Sequence, residues 1–86
     1  MRREQCRAAR ALLDWSIQDL ADHASVGTNT IQKFEVGTRT PRAGTIKLLR
    51  IAFEQAGVEF LGNGKGPGVR LIEHAPTQVE PPAGDE

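Results

Sequence analysis

Ser16-Ile17-Gln18-Asp19-Leu20-Ala21-Asp22-His23-Ala24-Ser25-Val26-Gly27-Thr28-Asn29-Thr30-Ile31-Gln32-Lys33-Phe34-Glu35 is the stretch whose reading decides the fold. Ser16 stands three residues before Asp19, so a serine hydroxyl and an acidic side chain are placed to cap each other's backbone amides. Apolar residues then recur at Ile17, Leu20, Ala21 and Ala24, the spacing of one helix face. Ser25-Val26-Gly27 is too short for anything but a turn. A second helix follows from Thr28 to Glu35, with Ile31 and Phe34 inward and polar residues around them. Two short helices joined by three residues hold an open angle, commonly ~90–120°.

That geometry frees the outer face of the second helix from core duty. Thr28, Asn29, Gln32 and Lys33 occupy it, a set able to donate to or accept from base edges and phosphates. A single helix also fits the ~12 Å major groove of B-DNA.

Working outward, an N-terminal helix runs from about Arg3 to Leu13 with Cys6, Ala9 and Leu13 on one face. Gly37-Thr38-Arg39-Thr40-Pro41 cannot continue a helix and is read as a loop. A fourth helix starts near Arg42 to Thr45 and ends before Gly57, with Ile46, Leu49, Ala52, Phe53 and Ala56 as its core stripe. After Gly57 the apolar period changes to two. Val58-Glu59-Phe60-Leu61 and Val69-Arg70-Leu71-Ile72-Glu73 flank a glycine-rich turn, Gly62 to Gly68, and read as a β-hairpin. No helix follows those glycines to receive a phosphate, so a nucleotide-binding loop is excluded by context. From Ala75 the Pro, Gly and Glu content implies a disordered tail. The expected divisions are 1–56, 57–74 and 75–86.

With these residues in place, Ser16 to Ala21, Val26 to Glu35, and then Gly37, Arg39 and Pro41 resemble the phage-repressor/Cro (XRE) helix-turn-helix family over roughly residues 4–56. Ile17, Ser25 and Gly27 stand where that family usually carries Gln, Gly and Ser. The resemblance implies a mainly α fold: a four-helix repressor-like helix-turn-helix domain, here followed by the C-terminal hairpin and tail. It also implies sequence-specific double-stranded DNA binding by a small transcriptional regulator, a repressor before an activator. Base contacts are then expected from Thr28, Asn29, Gln32 and Lys33, with Asn29 suited to adenine. Phosphate contacts are expected from Ser16, Gln18, Arg39, Thr40 and Arg42. Arg10 and Glu35 match the ion pair that ties the first helix to the end of the recognition helix.

Composition adds bounds. The 86 residues carry no net charge, but residues 1–50 hold nine Lys/Arg against five acids, and residues 51–86 hold two against six. A basic working half and an acidic remainder fit a polyanionic partner. Cys6 is the only cysteine, so a disulfide staple is absent; with His23 and His74 it shares no metal-ligand spacing. Cys6 reads as a small buried hydrophobe, with redox sensing the alternative, and Trp15 as an aromatic sealing the first two helices. His23 reads as a surface residue. No cofactor and no enzyme chemistry is indicated, there being no nucleophile–base set and no carboxylate cleft.

A small core with no staple points to self-association. A homodimer is expected, with Val58, Phe60, Val69 and Leu71 of the hairpin as its contact, unless the hairpin packs within the monomer. The alternative reading is an antitoxin-like interaction module that regulates its own operon while its C-terminal region holds a protein partner, a toxin. No run reaches the ~20 apolar residues of a membrane span, and the expected location is the cytoplasm.

Overall fold

The computed structural model describes residues 1–62 and 66–72. The order is α1 (Arg3–Leu13), α2 (Ile17–Ala24), α3 (Thr28–Val36), α4 (Ala43–Gln55), β1 (Val58–Leu61) and β2 (Gly68–Leu71). The tail expected over 75–86, the end of the hairpin region at 73–74 and turn residues 63–65 lie outside the described residues.

Each helix stops where local chemistry stops it. α1 ends at Asp14, which takes the left-handed conformation at φ 57° and returns its N–H to Ala11 and Arg10 carbonyls. A short polar side chain tolerates that conformation. α2 begins with a reciprocal cap: the Asp19 N–H donates to Ser16 Oγ at 3.0 Å, and the Ser16 N–H donates to Asp19 Oδ2 at 2.9 Å. It ends at Ser25, again left-handed, whose N–H returns to Ala21. α3 ends at Gly37, with φ +86° and its N–H on the Lys33 and Phe34 carbonyls. There the glycine is required twice over. A side chain would be strained, and its Cβ would stand 3.1 Å from Arg3 Nε.

The core is the intersection of four helical stripes and one strand. Cys6 and Ala9 of α1, Leu20, Ala21 and Ala24 of α2, Ile31 and Phe34 of α3, Leu49, Ala52 and Phe53 of α4, and Val58 of β1 are buried. Small residues on α1 and α2 let the helices approach, and Phe53 fills the middle. Trp15 stacks on it at 5.8 Å and Phe60 meets it edge-on at 6.0 Å. Trp15 thus seals the first two helices over α4. His23, exposed, also stacks on Trp15, at 4.1 Å.

The hairpin pairs Val58 with Leu71, Glu59 with Arg70, Phe60 with Val69 and Leu61 with Gly68, antiparallel. One further rung joins the Ile72 N–H to Gly57 O at 2.7 Å. Opposed residues share a face, so Val58, Phe60, Val69 and Leu71 lie together. That face is turned toward the chain's own helices: Val58 is buried, Phe60 and Val69 pack on the core, and Leu71 alone of the four is exposed. β2 runs against α1 and β1 against α4. Gln5, buried on α1, binds both strands by donating from Nε2 to Leu61 O at 3.1 Å and Gly68 O at 3.0 Å.

Candidate nucleic-acid interface

The inner face of α3 is fixed by Ile31, Phe34 and Glu35, all buried. Helical periodicity then forces Thr28, Asn29, Gln32 and Lys33 outward, and all four are exposed. The rest of the surface beside α3 is built by the loop after it. The Lys33 carbonyl accepts N–H bonds from Gly37 at 3.1 Å, Thr38 at 3.0 Å and Arg39 at 3.3 Å, which winds the loop tightly round the end of α3. The result is an open groove lined by Asn29, Thr30, Lys33, Arg39, Thr40, Pro41, Arg42 and Thr45. Five residues singled out from the sequence meet there: Asn29, Lys33, Arg39, Thr40 and Arg42. Thr30, not singled out, joins them from the first turn of α3, between Asn29 and Lys33.

Helix ends give this groove its electrostatics. The first turn of a helix leaves backbone N–H groups without intrahelical partners and with a partial positive charge. α1 and α2 each carry an acid in that turn, Glu4 and Asp19. α3 and α4 carry none, and their N-cap residues, Gly27 and Arg42, make no side-chain cap bond. The first turns that contribute to the groove are therefore the two with no internal anion. Lys33, Arg39 and Arg42 add three positive side chains, and no acid lines it. Such a concavity attracts phosphate.

Ser16 and Gln18 sit at the other end of the motif, on α2. Both are exposed, but both are engaged. Ser16 is committed to the cap with Asp19, whose carboxyl is held below its usual range by the Ser16 backbone N–H first and the Ser16 hydroxyl second. Gln18 Nε2 donates to Asp22 Oδ1 at 2.9 Å. The α2 end thus already holds a carboxylate of its own.

Behind α3, Glu35 is buried and receives Arg10 on both oxygens, Nη2 at 2.7 Å and Nε at 2.8 Å. Arg10 Nη1 also donates to Trp15 O at 3.0 Å, so one guanidinium ties α1, the α1–α2 turn and α3 together. Cys6 Sγ donates to Glu35 Oε2 at 3.1 Å. The sequence reading of Cys6 as an apolar filler missed this bond, since nothing local marks a cysteine as facing a carboxylate 29 residues away. It missed Gln5 for the same reason.

Among the described residues, no group of three or more His, Cys, Asp or Glu side chains could hold a metal ion. No described helix is long and apolar enough to cross a membrane. A family model described as helix-turn-helix matches residues 7–55. No curated protein matches the chain.

Proposed function

The chain belongs to the repressor/Cro (XRE) type of helix-turn-helix family, a family of DNA-binding transcription regulators, and from that premise we propose that it is a sequence-specific operator-binding repressor. The observation that carries the reading is the groove: two uncapped helix starts and three cations beside an α3 face that offers amide, hydroxyl and ammonium groups. α3 enters the major groove with Thr28, Asn29, Gln32 and Lys33 toward base edges. Arg39, Thr40 and Arg42, with the first turn of α4, hold one phosphate strand and fix the register. Ser16 and Gln18 hold the other strand as uncharged partners; Gln18 must release Asp22 to do so.

The repressor acts as a homodimer, so that two α3 helices meet half-sites ~34–36 Å apart. Its contact draws on the part of the expected hairpin surface that the chain's own fold leaves exposed. Val58, Phe60 and Val69 pack on the chain's own core, which leaves Leu71 as the exposed apolar residue of that face, while Leu61 and Ile72 are exposed elsewhere on the hairpin.

Protection mapping on the DNA upstream of its own gene tests the repressor reading. A protected, two-fold related pair of half-sites is the expected result. Uniform protection at every sequence would overturn it. Sedimentation of the full chain carrying Leu71→Glu tests the dimer contact, and an undiminished dimer would reject the hairpin surface.

A further inference from the structure

A second groove adjoins the first. Met1, Arg2, Arg3, Glu4, Phe34, Gly37, Arg39 and Thr40 line it, and Arg39 and Thr40 belong to both. It brings the start of α1 against the turn that ends α3. Arg3 is held there by the glycine turn, its Nε in van der Waals reach of Gly37 and its Nη1 3.5 Å from Glu35 O. Arg2 is more exposed, and its side chain meets Glu4 at 3.7 Å. Glu4 also faces Arg3 at 3.7 Å, so one carboxylate stands against two guanidiniums. With Arg39 the seat holds three positive charges and one negative.

We infer that Arg2 and Arg3, with Arg39, form a second phosphate seat that extends the DNA backbone grip along the strand held by the α3–α4 loop. The inference rests on the DNA-binding reading. Two observations lead to it. The α2 end, the other flank of the motif, already holds the Asp19 carboxylate, which accepts the Ser16 N–H while the Asp19 N–H goes to Ser16 Oγ, and it offers no cation from Ser16 or Gln18. The N-terminal cations instead lie next to Arg39 in one continuous band, where a phosphodiester oxygen can bind guanidinium N–H groups against only long contacts, those of Glu4 at 3.7 Å and that of Arg3 Nη1 with Glu35 O at 3.5 Å.

Phosphate neutralisation is read by salt, because each contact releases condensed counterions and contributes about 0.9 to the slope of log K against log salt concentration. The probe is a 20-base-pair duplex of random sequence, bound by the full-length chain across a salt series. Arg2→Ala and Arg3→Ala are each expected to reduce the slope by about one, and Arg3→Lys to restore most of the loss. Arg50→Ala removes the same charge from the far side, where Arg50 pairs with Glu54 and lies over Phe60, and should leave the slope unchanged. Glu4→Gln should tighten binding. Arg2→Ala covers the case in which Arg3→Ala loosens the α3 turn. If both alanine variants keep the wild-type slope while Arg39→Ala and Arg42→Ala lose it, the seat is refuted and the DNA-binding reading stands. If the unaltered chain shows no salt-dependent duplex binding, the reading itself fails, and the seat with it.

Discussion

Arg10 grips Glu35 with two parallel hydrogen bonds of 2.7 and 2.8 Å, and the carboxylate it grips is 5% exposed. A bidentate guanidinium–carboxylate contact fixes orientation as well as distance. Its consequence is geometric: α3 cannot rotate about its axis without breaking both bonds, so Asn29 and Gln32 keep facing away from the core. Buried ion pairs add little net stability compared with an apolar substitute, but leaving one member alone is costly, about 3–5 kcal/mol. Arg10→Ala should therefore destabilise the fold by about 3 kcal/mol, the low end because Arg10 is 21% exposed. The double variant Arg10→Met, Glu35→Leu should lose much less. Urea denaturation measures both. Equal losses in the two would contradict this account.

Cys6 shares the same carboxylate, and it makes stability depend on alkaline pH. Burial first, and the hydrogen bond to Glu35 second, push its thiol well above the ordinary range. An unfolded cysteine releases its proton near pH ~8.5. The folded state thus keeps a proton that the unfolded state loses, so this contribution is complete below that pH and shrinks as pH rises through it. The urea midpoint should fall between pH 7.5 and 10 more steeply in the unaltered chain than in Cys6→Ala. Parallel curves would show that the thiol is uncoupled from folding. The same burial predicts slow labelling by a maleimide in the native state.

How much of this could be read beforehand follows from where the information lies. The helix boundaries were legible because single residues mark them: Ser16 with Asp19, Gly27, Gly37 and Gly57 each announce an end in local chemistry. The outward face of α3 followed from Ile31 and Phe34, since a helix of known phase leaves no choice for Asn29 and Gln32. Long-range partners left no such mark. Gln5 sits between a glutamate and a cysteine in what reads as an ordinary solvated turn, yet it is buried by strands more than fifty residues on. The hairpin face illustrates the same limit. Alternation showed that Val58, Phe60, Val69 and Leu71 belong together, but not whether their cover would be α1 and α4 or a second molecule.

Gln5 makes a separable prediction about the hairpin. A two-stranded hairpin is marginal in water by itself, so its docking must hold it. Gln5 Nε2 satisfies two strand carbonyls, and Gln5 Oε1 accepts from the Arg2 N–H at 2.8 Å. Gln5→Ala leaves those groups without partners, at a cost of about 1–3 kcal/mol. Hydrogen exchange should accelerate in 58–61 and 68–71 by more than in α2 and α3. Uniform acceleration across the chain would mean that hairpin and helices unfold as one unit.

The cap of α2 carries an acid-side signature opposite in sign to that of Cys6. Asp19 is held below its ordinary range by Ser16, so the folded state binds a proton less readily than the unfolded chain. Its contribution is present above about pH 4, the unfolded value, and is lost as pH falls through the lower folded value. Thermal melts of the unaltered chain and Asp19→Asn should converge below pH 3 and separate above pH 5. Ser16→Ala removes the N-cap acceptor and should cost about 1 kcal/mol at neutral pH. A gap between the melts that stays constant with pH would assign the Asp19 effect to packing and not to charge.

Base reading and phosphate grip can be told apart by what each loss depends on. Asn29 offers an acceptor and a donor from one rigid amide, the pattern that pairs bidentately with adenine, and a missing pair of this kind costs about 1–3 kcal/mol of discrimination. Asn29→Ala should therefore weaken binding to the protected site by 10- to 100-fold, in order-of-magnitude terms, and leave random duplex binding unchanged. Arg42→Ala touches a group at the uncapped start of α4 and should weaken both by the same factor while lowering the salt slope by about one. Competition binding on the two duplexes at two salt concentrations measures all four quantities. If Asn29→Ala lowers both affinities equally, its amide meets the backbone, and the choice of sequence has to come from Gln32 or Lys33.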